Sequence, residues 1–185
     1  MRIIAGKARS LPLKTMEGLN TRPTSDKIKE TLFNMLQFEI PGAYFLDLFA
    51  GSGQMGLEAV SRGAAYAVFV ENHKKAAKCI EENIHFTKFD QQCKLLVSDA
   101  RTAVSMMEGK YQFDIIFMDP PYNQGLEMEV LSALSSSTLL KKDTTIIVEA
   151  SLETDFSVVG TMGYEIVKYK KYKTNAQGLL RRNED

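Results

Sequence analysis

A chain of 185 residues, 44% hydrophobic and 25% charged, is long enough for one domain with a full apolar core and too ordinary for a disordered or fibrous class. Its longest apolar runs, such as residues 64–70, fall far short of the roughly 20 residues of a bilayer span, and the start MRIIAGKARS lacks an apolar signal core, so a cytoplasmic protein with no membrane partner is expected. Net charge is zero, but residues 1–30 hold seven Lys/Arg against three Asp/Glu, residues 166–185 six against two, and the middle ten against eighteen; basic ends that met would suit nucleic-acid phosphates, and otherwise would only keep an edge strand soluble.

In chain order, MRIIAGKARSLPLKT reads as a short hairpin or arm with Gly6 near its bend. TRPTSDKIKETLFNML reads as a helix within residues 21–40, N-capped by Thr24 or Ser25, with Ile28, Leu32, Phe33, Met35 and Leu36 toward a core and Pro41 and Gly42 ending it. Strands are predicted at 44–49, 66–71, 94–98, 114–118 and 144–150. They are mostly continuous apolar runs, as in parallel strands buried on both faces. Helices are predicted between them near 53–62, 73–86, 100–107 and 126–134. This βαβ series implies an α/β, three-layer αβα sheet with right-handed crossovers, binding its ligands at the carboxyl ends of the strands. Residues 165–173 and 177–182, about a turn at Thr174 to Ala176, predict a closing antiparallel hairpin. One domain over 1–185 is expected: an arm at 1–20, the helix at 21–40 and a Rossmann-like core from 43. Cys79, Cys93, His73 and His85 form no ligand or disulfide framework, so no metal is expected.

The stretch FLDLFAGSGQMG places Gly51, Gly53 and Gly56 in GxGxxG spacing after an apolar strand, and Glu71 follows 20 residues after Gly51, a carboxylate suited to ribose hydroxyls. NAD and S-adenosyl-L-methionine (SAM) both carry a ribose, so Glu71 does not choose between them. Asp47 does. A largely buried carboxylate in that strand would repel a pyrophosphate and attract the ammonium and sulfonium of SAM, unless it is paired with a nearby Lys or Arg. Asp99, after the third strand, suits the exocyclic amine of adenine or the N-cap of the next helix.

DIIFMDPPYN ends the fourth strand with Asp119, Pro120, Pro121 and Tyr122. Two prolines fix the backbone and donate no N–H, leaving a rigid group of acceptors beside an aromatic ring. Tyr122 can stack on a base while Asp119 and the Pro120 carbonyl accept both N–H bonds of an amino group; otherwise the tyrosine is a core ring.

FLDLFAGSG, VFVEN, SDA and DPPY in this order resemble Rossmann-like SAM-dependent methyltransferases of exocyclic amines. With MRIIAGKARSLPL and TRPTSDKIKETLFNML, almost the whole chain is similar to the RsmD family of 16S rRNA guanine-N2 methyltransferases. The resemblance implies a seven-stranded sheet, SAM as cofactor with S-adenosyl-L-homocysteine as product, and no metal. It implies methylation of one guanine of 16S rRNA within the small ribosomal subunit or its late precursor, by a monomer. By position, Asp47, Gly51 and Gly53 would serve the methionine part, Glu71 the ribose, and Asp99 with Ala100 the adenine. Phe49, Ser52 and Asn72 would complete the cofactor site. Asp119, Pro120, Pro121 and Tyr122 would hold the target base, and Arg2, Lys7, Arg9 and Arg22 would meet RNA phosphate. The ending YKTNAQGLLRRNED departs from the family's.

Three other readings have distinct signatures. A DNA adenine-N6 or other amine methyltransferase could use the same DPPY site, although the short chain leaves little room for DNA recognition. An NAD-dependent oxidoreductase would have to place Asp47 beside a pyrophosphate. A non-enzymatic ribosome-assembly factor would keep a pocket without needing its acids intact.

Overall fold

Ser25 starts the first helix: its side chain accepts a hydrogen bond from Ile28 N at 3.2 Å, which caps α1 (Asp26–Met35). The structure, a computed structural model, describes residues 1–17 and 24–184, so Arg22 and the beginning of the RPT stretch lie outside the described residues. From there strands and helices alternate: β1 (Tyr44–Asp47), α2 (Gln54–Ser61), β2 (Tyr66–Glu71), α3 (Lys74–Thr87), β3 (Cys93–Val97), α4 (Ala100–Met107), β4 (Phe113–Met118), α5 (Leu126–Ser135) and β5 (Leu140–Ala150). The hairpin β6 (Tyr164–Lys171) and β7 (Ala176–Arg182) closes the series.

The seven strands lie in the order β3-β2-β1-β4-β5-β7-β6, and β7 runs opposite to the other six. This is the doubly wound α/β sheet that the sequence predicts, with the seven strands that the resemblance implies. Strand order reverses between β1 and β4, which opens a crevice at their carboxyl ends. Some boundaries differ from the predicted ones. β1 stops at Asp47, and β5 reaches back to Leu140 through Lys141 and Asp143. Those polar residues read as loop, but Lys141 Nζ reaches Asp114 Oδ1 at 2.7 Å and Leu140 lies opposite Phe113.

Side chains alternate across the sheet and split the apolar residues into two cores. Phe45, Phe69, Ile115, Phe117 and Ile147 pack on one face with α1, α2 and α3. Leu46, Val68, Ile116, Ile146 and Val148 pack on the other with α4 and α5. The N-terminal arm belongs to the first core, for Ile3, Ala8 and Leu13 are buried there. Its hairpin holds one bridge, between Arg2 and Pro12, with backbone bonds from Ile3 N to Leu11 O, Ser10 N to Ile3 O and Leu13 N to Met1 O, while other polar groups turn to α2. Glu58 accepts from Ile4 N and Ala5 N at 2.9 and 3.1 Å, and Ser61 Oγ from Ala8 N at 3.0 Å. Gly6, at φ +85°, comes so close to Ser61 that a Cβ would stand 1.9 Å from its carbonyl oxygen. Ile28 and Met35 of α1 are only half-buried, whereas Lys29 is fully buried, which its charge gave no reason to expect.

Candidate active site

The turn from β1 into α2 carries the three glycines, and each has its own geometry. Gly51 and Gly53 adopt φ +58° and +84°, a region costly for any residue with a Cβ, and Gly53 begins α2. Gly56 lies inside the helix, where a Cβ would stand 2.4 Å from the Phe69 ring; it lets α2 settle on β2 and faces no ligand. Glu71, half-buried at the end of β2, accepts from Gly51 N at 2.8 Å and from His73 N at 2.9 Å. Each of its oxygens thus holds one backbone N–H and keeps a second lone pair for a hydroxyl group. Ser52 is tied to the arm and to α3: its Oγ contacts Met1 Sδ at 3.2 Å, and its carbonyl accepts from Asn83 Nδ2 at 2.9 Å.

Beside this turn lies a cavity of about 140 Å³. Phe49, Glu71, Asn72, Asp99 and Ala100, all expected around a cofactor, line it together. Leu48, Val70, Ser98, Arg101 and Val130 also line it, and sequence reading missed them. Asp99 is the N-cap of α4, accepting from Thr102 N at 2.9 Å, and those hydrogen bonds to Thr102 hold its exposed carboxyl below the usual range. The structure thus realises the N-cap alternative, and Asp99 still borders the cavity.

Alternation continues to the strand ends and aligns the acids. Asp47 has the parity of Phe45, Asp119 of Phe117, and Glu149 of Ile147, so all three project on the α1–α2 face at the carboxyl ends of β1, β4 and β5. Asp47 is 1% exposed, and burial, partly offset by the Phe49 N–H and reinforced by Glu71 and Glu149, raises its pKa to about 8. Burial, then Glu149 and Asp47, push Asp119 well up as well. Glu149 is 2% exposed, accepts from Gln177 Nε2 at 3.1 Å, and is also raised by burial. Among the described residues, no lysine, arginine or histidine forms an ion pair with any of the three. The salt bridge considered for Asp47 is therefore absent from those residues; Lys29 of α1 pairs with Glu58 instead. Buried acids without a cation suit a cationic ligand.

The DPPY stretch follows β4 directly. Pro120 is buried and Tyr122 is 41% exposed, so the tyrosine is no core ring. Asn123, at φ +61°, accepts from Ser151 Oγ at 3.0 Å, which ties the turn after Tyr122 to the end of β5. Glu149 and Gln177 had no role in the sequence reading. An acid closing the run Ile146 to Val148 is the same signal that marked Asp47, and it could have found Glu149.

Among the described residues, the basic side chains of the two ends sit at different places along α1. Arg2, Lys7 and Arg9 are exposed on the arm; Arg2 Nε lies 3.4 Å from Asp26, and Lys7 Nζ hydrogen-bonds Gln92 at 2.9 Å over the Phe89 ring. On β6, Lys168 Nζ meets Met35 at 3.1 Å. Asp26 and Met35 are the two ends of α1, so the basic termini flank this helix at a separation of about 14 Å.

The strand order and the crevice of acids define the chain as a Rossmann-like methyltransferase fold. A family model described as Conserved hypothetical protein 95 matches residues 1–180, and the chain belongs to that family, the RsmD family. It is similar to the Ribosomal RNA small subunit methyltransferase D of Haemophilus influenzae, at 35% identity over 92% of this chain and 88% of that one. It is also similar to the protein of the same name from Escherichia coli K12, at 34% identity over 96% and 92%. A solved structure of a putative methyltransferase from Escherichia coli superposes with a TM-score of 0.88 at 33% identity, covering 98% of this chain and 97% of that one.

Proposed function

We propose that the protein is a SAM-dependent methyltransferase that modifies the exocyclic N2 of one guanine in 16S rRNA. It acts as a cytoplasmic, single-domain monomer on the small ribosomal subunit or its late precursor. The observation that carries this reading is the row of acids, buried Asp47 and Glu149 with half-buried Asp119, that pair with no cation among the described residues, beside a cavity bordered by Glu71 and Asp99. The names of its relatives supply the substrate class.

In this reading Asp47 meets the ammonium of the cofactor, Gly51, Ser52 and Gly53 let it approach the backbone, Glu71 and Asn72 meet the ribose, and Phe49, Asp99 and Ala100 border the adenine. Bound SAM supplies an electrophilic methyl group. The chain's own task is to present a nucleophile. Asp119 and the Pro120 carbonyl accept the two N–H bonds of the amine, Pro121 keeps that turn rigid, and Tyr122 stacks on the base. Reaching a paired guanine requires flipping it out, at a cost of a few kcal/mol. Arg2, Lys7, Arg9 and Arg22 contact phosphates; the exposed Arg2–Asp26 pair is weak enough to exchange for one.

The test is uptake of labelled methyl groups by small subunits prepared from cells lacking the enzyme, followed by mapping of the modified nucleotide. One methyl per subunit at a guanine N2 is expected; SAM binding without transfer would refute the substrate. An adenine methylase would prefer duplex DNA when the two substrates compete. An oxidoreductase would bind NAD rather than SAM in calorimetry, against the charge of Asp47.

A further inference from the structure

Glu149 closes β5 as Asp47 closes β1, and neither the glycine turn nor the DPPY stretch includes it. Strand register sets it beside Asp119 on one side, and Gln177 Nε2 donates to it at 3.1 Å on the other. Two carboxyl groups can share a hydrogen bond only if one of them carries a proton. Burial, Glu149 and Asp47 all push Asp119 up, while the bonds from Gln177 and Asp119 offset part of the burial of Glu149. Both acids are pushed up, Asp119 the more strongly, so a proton shared between them would sit on Asp119. The pairing is built into the sheet: Met118 lies opposite Val148, which makes Asp119 and Glu149 cross-strand neighbours. The other groups facing Glu149 are Asp47 from β1, Gln177 from β7 and Tyr172 from the β6–β7 turn, whose buried hydroxyl has no partner.

This arrangement bears on a step that the acceptor role of Asp119 leaves open. An amine that gains a methyl group becomes cationic and must release a proton, and an oxygen already protonated cannot take it. Resting on the methyltransferase reading above, we propose that Glu149 is a positioning residue. It holds Asp119 with its O–H turned toward β5 and the other oxygen free for the amine, and it takes over the shared proton when Asp119 receives the one that leaves the nitrogen.

The step balances. The nitrogen lone pair forms the bond to the methyl carbon as the carbon–sulfur bonding pair stays on sulfur. The N–H pair then remains on nitrogen, its proton moves to the free oxygen of Asp119, and the shared proton moves to Glu149. The two carboxyls start with one proton and end with two, and the extra one returns to solvent before the next turnover.

Glu149→Gln tests this because it keeps the volume and removes the proton acceptor. Expected are unchanged SAM affinity by calorimetry, a fall in kcat on the order of 100-fold, partial recovery in Glu149→Asp, and a double variant with Asp119→Asn no slower than Asp119→Asn alone. Infrared spectra of the unliganded protein give a second readout. A carboxylic-acid band at neutral pH, assigned to Asp119 by its loss in Asp119→Asn, should shift in Glu149→Gln, where the Asp119 O–H loses its carboxylate acceptor. A band unchanged in position, or an unchanged kcat, overturns the proposal, and so does a parallel loss of kcat, SAM affinity and thermal stability. Wild-type protein inactive on RNA would overturn the substrate reading alone, since the infrared spectra still decide for or against the shared proton.

Discussion

Two groups of buried charge sit on the same face of the sheet, and they differ in what surrounds them. In the first, Glu58 meets Arg62 Nε at 2.8 Å and Lys29 Nζ at 3.7 Å, and Lys29 also donates to the Arg2 carbonyl at 2.8 Å. Backbone N–H groups of Ile4 and Ala5 complete the coordination of Glu58. This group is closed: its charges are satisfied from within, and it fastens the arm to α1 and α2. In the second, Asp47, Asp119 and Glu149 gather, and Gln177 is the one side-chain amide donating to them among the described residues. A protein tolerates a buried acid without a cation by protonating it, and that cost persists until a cationic ligand offsets it. Completed charge binds parts of the chain together; incomplete charge waits for something outside it.

The contrast can be broken most strongly at Asp47. Its folded pKa of about 8 lies above the ordinary value of 3.8, so the folded state holds the proton more tightly. Its cost is absent below pH 4, grows as pH rises to 8, and is fully present above. Asp47→Asn should therefore gain stability over wild type across this window, with a slope difference of up to about 1.4 kcal/mol per pH unit in urea melts, and should lose SAM binding. Parallel stability curves for the two proteins would show that Asp47 is not buried and uncompensated. In wild type, SAM affinity should rise with pH up to about 8 as the proton is released, a trend calorimetry in buffers of different ionisation enthalpy would reveal.

At the closed group the opposite sign is expected. Glu58→Gln leaves Lys29 buried beside no anion and should cost about 3–5 kcal/mol in chemical unfolding, independent of SAM. A loss under about 1 kcal/mol would mean that Lys29 finds water or another acceptor. Gly56→Ala sharpens the difference between packing and ligand glycines: the Cβ meets Phe69, a loss of about 1–3 kcal/mol is expected, and SAM affinity per folded molecule should hold. The smallest effect belongs to Asp99→Ala, about 1 kcal/mol from the lost N-cap, with a matching modest loss in SAM affinity. Stability lost with affinity intact would make Asp99 a cap alone.

Periodicity and punctuation in the sequence determined the alternation of strands and helices, the closing hairpin and the glycine turn, because these depend on local backbone preferences and on two-faced burial of apolar runs. The Ile146 to Ala150 strand and the Gly51 to Gly53 turn follow from neighbours in the chain. The lone Asp47 also pointed to the sign of charge a ligand in the crevice should carry. Only the tertiary structure decided which acids meet. Glu149 looks like the polar end of a buried strand until β4 and β5 lie side by side and parity brings it to Asp119. Lys29 looks like a surface lysine until the arm and α2 enclose it with Glu58. The basic ends, free to meet as far as the sequence goes, lie at opposite ends of α1. Contacts between residues 30 to 130 positions apart depend on sheet order and helix placement, and no local pattern in a single chain encodes them.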